Sequence, residues 1–86
     1  IMGTDPKIPN IYDAVVKILA EELEIDESRI LPKSHILNDL GGDSLQIVEI
    51  IMTLEEHFNI IIEDAAVDRI NTVEDIYKEL RGILGS

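Results

Sequence analysis

The 86-residue chain contains no cysteine and no tryptophan. Without cysteine there can be no disulfide scaffold, no Cys-ligated metal and no cysteine nucleophile. Aromatic residues make up only 3% of the chain against 45% hydrophobic residues overall. Any core must therefore be built from Ile, Leu and Val, and at this length it is a single domain of modest size. Basic residues are also scarce: seven Lys+Arg face 18 Asp+Glu, for a formal charge of −11. Such a polyanion repels nucleic-acid phosphates and anionic membrane surfaces, and it favours basic protein partners met by electrostatic steering. No apolar run approaches membrane-spanning length, so no membrane insertion is expected. No signal peptide is visible, and the expected location is cytoplasmic. The two histidines, His35 and His57, are too isolated in sequence to form a metal site.

Helical periodicity dominates what is present. In "NIYDAVVKILAEEL", Ile11, Val15, Ile18, Leu19 and Leu23 share one face, with Asn10 as N-cap. A second helix is predicted over "SLQIVEIIMTLEEHF" and a short one over "EDAAVDRI". The last is "TVEDIYKELRGIL", where Val73, Ile76, Tyr77, Leu80 and Leu84 form the stripe and Thr72 with Asp75 reads as a capping box. Ile60-Ile61-Ile62 is β-branched but too short to build a sheet. Between about Glu24 and Gly42 the pattern is irregular, with Pro32 and a Gly pair; Ile30, Leu31, Ile36, Leu37 and Leu40 are expected to anchor this long loop to the core. The predicted fold is all-α: a small bundle of three main helices plus one short helix, with a long loop between the first two. Residues 8–84 are expected to form the single domain, with 1–6 and 85–86 set aside as cloning remnants or flexible termini.

The second predicted helix carries two apolar faces. At about 100° per residue, Ile47, Ile50, Ile51, Leu54 and Phe58 fall in one core-facing sector. Leu45, Val48 and Met52 form a second, narrower stripe, flanked by Glu49 and Glu56 on one side and Glu55 on the other. Burial beneath the loop or another helix is one explanation of this stripe; a partner-facing surface, adaptable at Met52, is the other. The charge map favours the surface. No Lys or Arg occurs between Lys33 and Arg69, while Asp39, Asp43, Glu49, Glu55, Glu56, Glu63, Asp64 and Asp68 all lie in that span.

The stretch "GGDSL", residues 41–45, opens this helix and admits three readings. In the first it is punctuation: Asp43 caps, Gln46 completes a box-like pattern, and Ser44 is merely the first helical residue. In the second Ser44 is a nucleophile, because "GDSL" resembles the motif of a family of esterases and lipases. A serine hydrolase needs a base in hydrogen-bond reach, itself oriented by a third group. His57 lies roughly 20 Å along the same helix. His35, with Asp39 nearby, is the remaining candidate. The strand before the motif and the histidine near the C-terminus that those hydrolases resemble each other in are missing here, and the chain is too short. In the third reading Ser44 is a point of covalent attachment.

The third reading rests on a longer pattern. "DLGGDSLQIVEIIMTLEEHFNI" followed by "EDAAVDRINTVEDIYKEL" resembles the acyl carrier proteins, in order and spacing, across nearly the whole span from Ile8 to Leu84. The resemblance implies a discrete, monomeric carrier rather than an enzyme. In it Ser44, flanked by Asp43 and Leu45, receives 4'-phosphopantetheine from coenzyme A through a phosphopantetheinyl transferase. The arm's thiol then holds acyl groups as thioesters and delivers them to acyl-transferring and chain-elongating enzymes of fatty acid or specialised lipid synthesis. Those partners are implied to offer basic patches to Leu45, Val48, Glu49, Met52, Glu55 and Glu56. The resemblance also implies shelter of the acyl chain between the helices. Carriage for polyketide, aminoacyl or peptide synthesis is the alternative within the class. An acidic helical adaptor with no prosthetic group is the alternative outside it. The chain departs from the family pattern at Gly42, often Ala in fatty-acid carriers, and at Gln46, frequently acidic. Ile60 and Ile61 stand where polar residues are common, and Glu63 where Pro is common.

Overall fold

A computed structural model describes residues 11–85. They form helix α1 (Ile11–Leu23), a 3₁₀ turn (Glu27–Arg29), α2 (Ser44–Phe58), the short α3 (Asp64–Val67) and α4 (Val73–Leu84). This is the expected all-α bundle. Among the described residues the β content is a single antiparallel bridge between His35 and Thr72. The predicted cap Asn10 and the leading "IMGTDP" lie outside the described residues.

Helix α1 is the central element and packs against both α2 and α4. A helix held between two others needs a wider apolar stripe than one lying on a surface. Accordingly Val16 and Ala20 are buried in addition to the predicted Ile11, Val15, Ile18 and Leu19, while Leu23 is partly buried at the end. From α2 the core takes Ile50, Ile51 and Leu54, with Ile47 and Phe58 packed at its edge. From α4 it takes Val73, Ile76 and Leu80. Leu84, predicted for the same stripe, is exposed in the last turn, past the end of the core. Gly85, set aside with the terminus on sequence, closes α4 in the left-handed conformation (φ 76°), its N–H donating to the Arg81 carbonyl.

The helix boundaries follow from side-chain caps. Thr72 Oγ1 accepts from the Asp75 N–H at 3.2 Å while Asp75 Oδ2 accepts from the Thr72 N–H at 3.0 Å, the predicted box. Asp75 Oδ2 also accepts from the Asn71 N–H at 3.0 Å. At the far end of α2, Asn59 takes the left-handed conformation (φ 56°) that stops a helix.

The long loop is ordered by hydrogen bonds that no local pattern announces. Asp26 Oδ1 accepts from the Ser28 N–H and starts the 3₁₀ turn. Further on, the carbonyls of Pro32 and Ser34 accept from the Glu74 and Val73 N–H groups. These two donors lie in the first turn of α4, where no intrahelical acceptor exists. The loop therefore caps α4 while α4 fixes the loop. Ile30, Ile36 and Leu40 anchor it in the core as expected. Leu31 and Leu37 do not: they are 61% and 40% exposed. Tight turns cause this, since Ser34 Oγ accepts from the Leu31 N–H and the Asp39 and Leu40 N–H groups fold back on the His35 carbonyl. Within such turns only some side chains can face inward.

The Ile60-Ile61-Ile62 run forms no strand and divides by residue. Ile62 is buried, Ile60 packs against the core, and Ile61 is 80% exposed. The predicted "EDAAVDRI" helix is reduced to the four residues of α3.

Candidate functional site

Asp43 is the N-cap of α2, with extended backbone (φ −127°, ψ 177°). Its Oδ1 accepts from the Gln46 N–H at 2.8 Å, and Gln46 Oε1 accepts from the Asp43 N–H at 3.2 Å. Asp43 and Gln46 thus form the whole capping box, as the first reading of "GGDSL" expected. Ser44, the first residue of α2, is exposed, and its hydroxyl takes no part in that box. Capping explains Asp43 and leaves Ser44 without a structural task.

The surroundings of Ser44 suit a phosphate ester better than a triad. Its own N–H and that of Leu45 open the helix without intrahelical acceptors, at the positive end of the helix dipole. Neither histidine is coupled to it by a hydrogen bond among the described residues. His35 Nδ1 accepts from the Asn38 N–H, and Asp39 Oδ2 accepts from the His35 backbone N–H rather than from the ring. The ring of His57 meets that of Phe58 edge-on at 4.8 Å, on the last turn of α2. The described residues hold no cluster of His, Cys, Asp and Glu able to bind a metal.

The apolar stripe beside Ser44 lies open to solvent. Leu45, Val48 and Met52 are 66%, 51% and 56% exposed, so neither the loop nor another helix buries them. Glu49 and Glu56 flank the stripe and are exposed. Glu55 differs: its Oε2 accepts from the Ile62 N–H at 2.8 Å, tying the end of α2 to the segment before α3. That carboxylate has structural work which a surface-charge argument could not detect.

One further acid belongs to this surface and was missed on sequence. Glu22, from the last turn of α1, lines a shallow groove with Glu49, Met52, Thr53 and Glu56. A hydrogen bond shared with the Glu49 carboxylate holds the Glu22 carboxyl above its ordinary value, with desolvation and repulsion from Glu49 and Glu24 adding in the same direction. The two acids stand on different helices, so only the α1–α2 packing brings them together.

Comparison with known proteins agrees with the geometry. Residues 13–80 match the family described as phosphopantetheine attachment site. The acyl carrier protein of Campylobacter lari is 37% identical over 73 residues, which cover 85% of this chain and 95% of that one. A solved structure of a Mycobacterium tuberculosis protein assigned as an acyl carrier protein superposes with a TM-score of 0.79 at 29% identity, covering 84% of this chain and 96% of that one. The chain belongs to the acyl carrier protein family, whose members are carriers, not catalysts, and hold acyl groups on covalently bound phosphopantetheine.

Proposed function

We propose that Ser44 is the residue that bears the 4'-phosphopantetheine arm. The observation that carries this reading is the division of labour at the start of α2: Asp43 and Gln46 complete the cap, and an exposed serine hydroxyl is left over beside them. When bound, the group supplies a flexible arm ending in a thiol that holds acyl groups as thioesters. The chain's own part is to present the hydroxyl to a phosphopantetheinyl transferase. The N–H groups of Ser44 and Leu45, which open α2 without intrahelical acceptors, would favour the negative charge of a phosphodiester there. Residues 8–84 form the single carrier domain in this reading.

The exposed Leu45, Val48 and Met52 strip, flanked by Glu49 and Glu56, is the partner surface in this account. Basic patches on the transferase and on acyl-handling enzymes complement it. Because Glu55 is engaged with the Ile62 N–H, its removal disturbs the fold as well as the charge, and Glu49 and Glu56 are the cleaner probes. The likeness to a relative named for acyl carriage supports the carrier role; the pathway proposed for it is fatty acid or specialised lipid synthesis, in the cytoplasm.

The test is intact mass after incubation with coenzyme A and a broad-specificity phosphopantetheinyl transferase. One pantetheinyl mass increment is expected in the wild type and none in Ser44→Ala. A folded wild type that gains no mass contradicts the carrier reading and returns the protein to an interaction adaptor.

A further inference from the structure

Gln46 uses both ends of its side-chain amide. While Oε1 accepts from the Asp43 N–H, Nε2 donates to the Glu22 backbone carbonyl at 3.4 Å. Glu22 lies in the last turn of α1, where carbonyls lack intrahelical donors. One amide therefore satisfies an N–H at the beginning of α2 and a C=O at the end of α1. The amide orientation is dictated, because the opposite flip would set an oxygen against the carbonyl and a donor against the N–H.

Gly42 reinforces the same junction from the other side of Asp43 and Ser44. Its N–H donates to the Ile36 carbonyl at 3.0 Å. A Cβ at this position would stand 3.2 Å from Leu23 Cδ2 and 3.3 Å from the Ile36 carbonyl oxygen. The chain leading into α2 thus lies close against the end of α1 and the loop, and only a glycine permits that approach without displacement.

We propose that Gln46 is a positioning residue for Ser44: by latching the first turn of α2 to the last turn of α1, it fixes the direction in which the hydroxyl is presented to the transferase. This inference rests on the attachment reading of Ser44. An acid at this position could accept from the Asp43 N–H and complete the box. It could not donate to the Glu22 carbonyl, and it would set a negative charge against the negative end of α1. The latch is therefore specific to an amide.

The test compares Gln46→Glu and Gln46→Met in steady-state phosphopantetheinyl transfer from coenzyme A, varying carrier concentration to separate kcat from KM. Gln46→Glu keeps the capping acceptor and so keeps the fold. Its added charge acts on encounter with a basic partner, and hence on KM. Loss of the latch acts on kcat. Both variants are expected to lower kcat by about two- to fivefold, the range set by one long hydrogen bond. Faster amide exchange at Gln46 and Ile47, with core α1 amides unchanged, is expected alongside. Wild-type kcat in Gln46→Glu overturns the proposal, whatever Gln46→Met does, because capping alone would then account for the residue. Should Gln46→Met fail to fold, Gln46→Ala takes its place, since it removes the latch without adding a charge at the end of α1. No mass gain in the wild type would instead defeat the attachment reading, so the two failures are distinguishable.

Discussion

At the start of α2 two adjacent polar residues take different work: Asp43 closes the helix, and Ser44 faces solvent. That division was legible in the letters, since an N-cap with Gln three residues on is a recognisable box. The Thr72–Asp75 box was legible for the same reason. Its removal in Thr72→Ala is expected to cost about 1 kcal/mol. In a domain of this size that is a fall in Tm of roughly 4–8 °C, measurable by thermal denaturation. The Glu22–Glu49 pair was not legible, because the two residues are distant in sequence and meet only through packing. The pH sign follows from its direction of shift. A carboxyl raised above its ordinary value binds a proton more tightly when folded, so stability falls as pH rises from that value, 4.5, through the raised one. Glu22→Gln is expected to flatten this decline and raise stability at neutral pH, read from denaturant midpoints across pH. Asp75 works in the opposite sense. Hydrogen bonds from the Thr72 and Asn71 backbone hold its carboxyl low, so its stabilising contribution is present above the ordinary value and is lost as pH falls through the lowered one.

Among the elements, periodicity located α1, α2 and α4 because each has a continuous apolar stripe. It failed for the connecting segments, whose order comes from backbone groups that carry no residue-type signal. The Pro32 and Ser34 carbonyls meet α4 some forty residues downstream, and the Ile62 N–H finds Glu55 on the preceding helix. Leu31 and Leu37 depart from expectation for a related reason: hydrophobicity favours an inward placement, and turn geometry sets them outward. The two faces of α2 differ in burial, and the proposed partner surface assigns stability to one and recognition to the other. Leu54 is fully buried, and Leu54→Ala is expected to destabilise by about 2–5 kcal/mol. Val48→Ala, on the exposed stripe, is expected to change the denaturant midpoint little while weakening partner binding. Comparable losses of stability from both substitutions would show that the stripe is part of the core.

For the molecule as a whole, a charge of −11 has opposite consequences for folding and for binding. Like charges crowded on a small surface repel, and salt screens that repulsion over a Debye length of about 10 Å at 0.1 M. Raising ionic strength is therefore expected to stabilise the fold while weakening association with basic partners. Charge reversal at Glu49 and Glu56 that leaves partner affinity unchanged would contradict the proposed surface. The central claim remains the identity of one residue, and fragmentation of the transferase-loaded protein tests it most directly. A pantetheinyl increment confined to fragments that contain Ser44 is the expected result. An increment on any other residue, or none on a folded chain, would contradict it.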